Sequence, residues 1–145
     1  MTMSDTLKQL LAVLADGQFH SGTELAQILT VSRTAVWKHL QSLADWGVEV
    51  ISVHGKGYKL PQPLQLLDEN QIRAHLDASA KALINRFEIQ AVIPSTNAYL
   101  SALAQQTHAS GIVCLAEYQT AGKGRRGRTW VSPFGHNIYL SILWQ

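Results

Sequence analysis

Ser21 and Ser32 set the first constraint on this chain. Each stands just ahead of an apolar-periodic stretch, and the segment between them, GTELAQILTV, has room for little more than two turns of helix. Glu24 follows Ser21 in the pattern of a capping box, with Leu25, Ile28 and Leu29 on one face behind it. Upstream, Leu7, Leu10, Leu11 and Leu14 recur at i, i+3, i+4 and i+7, which predicts an amphipathic helix ending near Asp16 and Gly17. Downstream of the turn LTVS, Ser32 caps a third helix, RTAVWKHLQSLADW, whose buried stripe is Val36, Leu40 and Leu43; Gly47 is its stop. Then VEVISV alternates weakly as a strand, HGKG makes a turn, and YKL returns. Three helices with a tight turn between the last two, followed by a hairpin, make a winged helix-turn-helix.

In that geometry the third helix enters a DNA major groove. The side chains it would present are Arg33, Thr34, Trp37, Lys38 and Gln41. Arg33 and Gln41 are capable of two-pronged contacts to base edges. Ser32 and the helix N-terminus suit a phosphate, as does Lys56 at the wing tip. Trp37 is the odd residue, suited either to packing on the wing or to a DNA sugar. The competing reading is a small helical domain for protein contacts. Basic and acidic residues cancel over residues 1–60, which favours that reading. Against it, the acids stand at Asp5, Asp16, Glu24, Asp45 and Glu49, and none lies on the first three turns of the third helix. Segregated charge makes a basic face without net charge.

Pro61 and Pro63 mark a short, stiff connector, and we place a domain boundary at about residue 63, giving 1–63 and 64–145. Beyond it, Asp68 caps a helix through Ile72, His75 and Leu76. RFEIQAVI reads as a strand stopped by Pro94. Ser95, Thr96 and Asn97 supply caps for the helix AYLSALAQQ. GIVCLAEY is a buried strand, and NIYLSILW another, with Ile138, Leu140, Ile142 and Trp144 on one face. The whole is therefore α+β: a winged helix followed by the opening of a mixed α/β domain. No apolar run approaches the roughly 18 residues of a membrane span. Cys114 is the single cysteine, so there is no internal disulfide, and within GIVCLAEY it reads as a buried, inert thiol. No metal site is expected, and a cytoplasmic location without membrane contact is.

Between those last two strands lies QTAGKGRRGR, with three glycines and four basic residues in ten positions. Gly122, Gly124 and Gly127 match a dinucleotide-binding fingerprint letter for letter, but RTWVSPFG follows where that fingerprint needs a helix. Lys123 is followed by Gly124 and not by a Ser or Thr, so this is no Walker loop. Fixing such a segment costs about 1–2 kcal/mol per residue in backbone entropy, and apolar burial here offsets little of it. Charge-assisted hydrogen bonds to an anion supply about 1.5–3 kcal/mol apiece. An anionic ligand is the natural partner of this loop.

AEYQTAGKGRRGRTWVSPFGHNIYLSILW, together with HSGTELAQIL, VSRTAVWKHLQSL, HGKGY and the PSTN at 94–97, resembles the bifunctional biotin–protein ligases that also act as biotin operon repressors. The resemblance implies a winged helix ahead of a ligase domain related to class II tRNA synthetases. It implies activation of biotin by ATP, with Mg2+, to biotinyl-5′-adenylate, and transfer to a lysine of the biotin carboxyl carrier protein of acetyl-CoA carboxylase. It also implies operator DNA as a partner and a homodimer. By the same resemblance Ser95, Thr96, Asn97 and Gln119 line a biotin site, and Lys123, Gly124 and Arg125 wrap the carboxylate and the adenylate phosphate. Arg125 would stabilise the adenylate, and Trp130 would pack near the adenine. The family usually has arginine where Lys123 stands; lysine keeps the charge without the planar fork.

The family's Lys-Trp-Pro-Asn-Asp stretch does not occur in these 145 residues, so its catalytic lysine is expected beyond residue 145. The chain is accordingly expected to be a portion of a ligase-repressor, not competent alone. A stand-alone winged-helix regulator is the alternative.

Overall fold

A computed structural model describes residues 3–124, 126, 128 and 133–145. The chain divides into two compact units, with the break between Leu66 and Leu67.

The first unit is three helices and a hairpin: α1 (Asp5–Leu14), α2 (Gly22–Leu29), α3 (Arg33–Ala44), β1 (Ile51–Val53) and β2 (Gly57–Lys59). Serine side chains cap all three helices: Ser4 accepts from Leu7 N, Ser21 from Glu24 N and Ser32 from Ala35 N. Both halves of the Ser21–Glu24 capping box are present. The leucine stripes meet in one core of Leu7, Leu10, Leu11, Leu14, Leu25, Leu29, Val36, Leu40 and Leu43, closed by Trp46, Val48 and Leu60. Ile28 departs from the expected stripe and is 51% exposed. It falls on the outer edge of an eight-residue helix that is tethered through Leu25 and Leu29.

The predicted strand VEVISV shortens to Ile51–Val53, because Val48 is drawn into the helical core instead. The hairpin pairs Ile51 with Lys59, Ser52 with Tyr58 and Val53 with Gly57. Its return strand also bridges to the segment ahead of α2, where His20 N donates to Tyr58 O at 2.9 Å and Tyr58 N to His20 O at 2.8 Å. The connector turns back on this unit, Leu64 N donating to Ala15 O at 2.9 Å.

The second unit holds α4 (Glu69–His75), α5 (Ala78–Leu83), β3 (Arg86–Ile93), α6 (Thr96–Ala104), β4 (Ile112–Gln119) and β5 (Tyr139–Leu143). The sheet order is β3-β4-β5, with β3 parallel to β4 and β5 antiparallel to it. The central strand β4 is buried from Ile112 to Glu117, as an apolar strand covered on both faces should be. Leu100 of α6 packs with Ile93, Ile112, Cys114, Ala116 and Tyr139. Helix α5 has no apolar period to announce it; its signal is Asp77, which caps it by accepting from Ala80 N. Arg73 of α4 lies over the Phe87 ring of β3, 4.6 Å from its centroid, and pairs with Glu69 at 2.7 Å. The apolar stripe expected on the last strand is on one face, but that face is open: Ile138, Leu140, Ile142 and Trp144 are all exposed.

Candidate functional site

In the second unit the β3–α6–β4 crossover brings the carboxyl ends of two parallel strands to the N-terminus of α6. Ligands in open α/β sheets bind at such strand ends, and a helix N-terminus favours negative charge. Register does the positioning. Ile93 pairs with Gln119, so the end of β4 lies beside Pro94 and Ser95. Two further bonds, Thr120 N to Ile93 O at 3.0 Å and Ala121 N to Pro94 O at 2.9 Å, hold the start of the glycine-rich loop there.

Ser95, Thr96, Asn97, Gln119 and Lys123 line one cavity of about 430 Å3. Ser101, one turn beyond Asn97 on the same helix face, lines it too. It was legible only from the helical period, because nothing in its surroundings marks it. No acid lines this cavity, and Lys123 is the one cation among its described lining residues.

Thr96 differs from its neighbours. It is 4% exposed. Its backbone N–H donates to Gln119 Oε1 at 2.9 Å, its hydroxyl is 3.3 Å from the same oxygen, and Ser141 Oγ lies 2.9 Å from Thr96 Oγ1. A backbone N–H must meet an acceptor, so the Gln119 amide is oriented with its carbonyl toward Thr96 and its NH2 left for other partners. Ser141, brought in by β5, belongs to this network and was not legible from any motif. Ser95 Oγ caps α6, accepting from Ala98 N at 3.4 Å.

The loop is anchored beyond its far end as well. Gly135 N donates to Glu117 O at 3.0 Å, the rings of Phe134 and Tyr118 stack at 6.3 Å, and Tyr139 OH donates to Pro133 O at 3.2 Å. Gly124 passes so close to the Arg128 carbonyl that a side chain there would collide with it. Arg125 and Trp130 lie outside the described residues.

Two buried titratable groups lie on β4, the strand that ends at the site. Burial pushes the Glu117 carboxyl above the ordinary carboxylate range, and a hydrogen bond from Leu67 N pulls it only partly back. Burial, with the nearby charge of Glu88, raises the Cys114 thiol to about 11, which fits the inert thiol expected there.

In the first unit α3 presents Arg33, Thr34, Trp37, Lys38 and Gln41 on its exposed side, with no acid in its first turn. A groove of about 740 Å3 runs between this helix and the wing, lined among others by Arg33, Trp37, His54 and Lys56. The Ser32 hydroxyl oxygen is occupied as the cap of α3, at 3.1 Å from Ala35 N, which leaves its O–H as a donor. Lys56 lies over the Phe19 ring at 5.8 Å and Lys59 at 5.1 Å, so Phe19 gathers two cations at the wing.

Behind the wing, His20 lies between two acids, Nδ1 at 2.8 Å from Glu24 Oε1 and Nε2 at 2.9 Å from Asp16 Oδ2. Burial works against its charged form, but the hydrogen bonds and charges of Glu24 and Asp16 outweigh it and raise its pKa. Both acids are lowered, Asp16 chiefly by a hydrogen bond from Gln18 N and Glu24 chiefly by His20. Among the described residues no group of three or more His, Cys, Asp or Glu side chains is arranged to hold a metal, and no helix is long and apolar enough to cross a membrane.

Comparison with known proteins adds two family matches. Residues 6–59 match the family described as HTH domain, and residues 89–145 the biotin/lipoate A/B protein ligase family. The bifunctional ligase/repressor BirA of Salmonella typhimurium is 52% identical over 136 residues, 94% of this chain and 40% of that protein. That of Escherichia coli is 51% identical over 137 residues, with 94% and 40% covered. That of Bacillus spizizenii is 37% identical over 144 residues, with 97% and 44% covered. The chain thus spans well under half the length of these relatives, while they match it along nearly its whole length.

Proposed function

We propose, on the premise that this chain is a member of the bifunctional ligase/repressor family, that it carries the biotin-orienting part of a biotin–protein ligase behind a winged helix that binds operator DNA. In the complete reaction a biotin carboxylate oxygen attacks the α-phosphorus of ATP, supplied with Mg2+, and the bond to pyrophosphate breaks. The amine of a lysine on the biotin carboxyl carrier protein of acetyl-CoA carboxylase then attacks the acyl carbon, and AMP leaves.

The observation that carries this reading is the cavity at the ends of β3 and β4. It is lined by hydroxyls, amides and one ammonium, with no carboxylate to repel an anion. Gln119, its carbonyl already taken, offers N–H donors. Lys123 offsets carboxylate charge, and Arg125 is assigned the developing charge of the adenylate. Gly124 lets the backbone close over the ligand, and Trp130 is assigned to the adenine. We assign the DNA contacts to Ser32, Arg33, Thr34, Trp37, Lys38, Gln41 and Lys56. The domain boundary is proposed within the connector, at about residue 63. A cytoplasmic homodimer is the proposed state of the intact ligase-repressor.

Because the family's lysine stretch is not in this sequence, the chain as it stands is proposed to bind without turning over. Calorimetry with biotin, and pyrophosphate release from ATP in the presence of biotin and carrier protein, test this directly. Biotin binding without release of pyrophosphate is the expected result. Turnover at the rate of a full-length ligase would mean that the catalytic set is already complete. DNA binding with no affinity for biotin would favour a stand-alone winged-helix regulator.

A further inference from the structure

Trp37 is the residue of the first unit that the fold does not use. It is 54% exposed on α3. Among the described residues its side chain has no hydrogen bond and no ring contact. It shares the i, i+4, i+8 stripe with Arg33 and Gln41, and it lines the groove between α3 and the wing together with Thr34 and Lys56. The wing does not cover it. An indole held open to water in the middle of a polar, cationic helix face contributes nothing to the core, which is already closed by Trp46.

We propose that Trp37 is a specificity-determining residue that reads the 5-methyl group of a thymine in the major groove. The proposal rests on the DNA-binding reading above and extends it to base chemistry. The major-groove edges of the four base pairs are hydrogen-bond donors and acceptors, with one apolar substituent among them, the methyl of thymine. An indole ring is a flat apolar surface with a single N–H donor, so thymine is the base edge that it matches. The surroundings favour DNA over an apolar protein partner. Arg33 and Lys38 flank Trp37, and Lys56 stands across the groove. No acid is among the described residues that line this groove. Trp37 lies one turn beyond Arg33, about 6 Å along the helix. A helix in the major groove runs along the groove and not along the duplex axis, so side chains one turn apart on it meet neighbouring base pairs. A thymine next to the base pair met by Arg33 is therefore the expected site.

The test is selection of duplexes from a random library by the purified chain, followed by replacement of each selected thymine with deoxyuridine, which removes the methyl and nothing else. Binding is read by fluorescence anisotropy. One thymine should weaken binding about fourfold when replaced, the equivalent of one buried methyl group. Trp37→Ala should bind the thymine and uracil duplexes alike, and Trp37→Phe should keep part of the discrimination. Sequence enrichment with no loss at any uracil, or an equal loss in Trp37→Ala, would overturn the assignment while leaving DNA binding intact. No enrichment of any sequence would overturn the assignment and the DNA-binding reading together.

Discussion

Replacing Gly57 by alanine asks whether the wing is held by its own hairpin or by its bridge to His20. Gly55 and Gly57 both have positive φ, +76° and +106°. At Gly55 an added Cβ meets nothing within 4 Å, so alanine there carries only the backbone cost of a left-handed conformation, about 1–2 kcal/mol. At Gly57 the same atom would lie 2.7 Å from the His20 carbonyl carbon and 2.9 Å from Ser21 Cα, and closer still to the His20 carbonyl oxygen. Those are backbone atoms and cannot rotate away. The bridge must open, with loss of the two His20–Tyr58 hydrogen bonds, each contributing about 0.5–1.5 kcal/mol. Gly57→Ala should therefore exceed Gly55→Ala by about 1–3 kcal/mol. Thermal unfolding gives the difference, and hydrogen exchange at the Tyr58 amide locates it. The same variant should weaken DNA binding through the displaced wing without altering α3. Equal destabilisation by the two alanines, with the Tyr58 amide still protected, would refute the claim that the bridge holds the wing.

Three further outcomes are expected. The raised pKa of His20 contributes stability that is complete below the unfolded value of about 6.5 and is lost as pH rises through the folded value; melting of His20→Gln across pH 5–9 should lack that decline. Glu117 also has a raised pKa, so it too lowers stability as pH rises through the folded value, the reverse of an ordinary paired carboxylate. Glu117→Gln keeps an acceptor for Leu67 N and should flatten that pH dependence, whereas Glu117→Ala should cost about 1–3 kcal/mol in urea unfolding by stranding the Leu67 N–H. Thr96→Val removes the hydroxyl that joins Gln119 to Ser141, and in calorimetry it should weaken biotin binding about tenfold, the worth of roughly one hydrogen bond.

Much of the first unit was legible because local signals agree there. Ser21 and Ser32 cap, leucines repeat at the helical period, and each decides the same boundaries. Ile28 and the shortened wing strand were misplaced where the sequence pattern was consistent with burial but the tertiary core was already filled. In the second unit the strands were plain from β-branched content. Helix α5 was not, because a short exposed helix has no buried face to mark it. Ser95, Thr96, Asn97, Gln119 and Lys123 were expected to share a site, and they line one cavity. What no pattern could supply was the division of roles among them. Thr96 reads as one more lining hydroxyl until register places it against Gln119 and Ser141.

That division of roles decides what a ligand would meet. The Gln119 carbonyl is taken by Thr96, and the Thr96 N–H and hydroxyl are taken in turn. One lone pair of the Ser95 hydroxyl is used in capping α6. What remains toward the cavity among its described residues is the Gln119 NH2 and the Lys123 ammonium, both donors, beside the Ser95 and Ser101 hydroxyls and the Asn97 amide, which donate or accept. A donor-rich cavity at a helix N-terminus selects an acceptor-rich, negatively charged partner. Carboxylate and phosphate oxygens fit that description, and an ammonium or guanidinium ligand does not. The same subtraction applies to α3, where capping engages one lone pair of Ser32 and leaves its O–H, Arg33 and Lys38 as donors on the exposed side. In both units the hydrogen bonds that build the fold engage acceptors and leave donors, the pattern that the anionic partners proposed above would need.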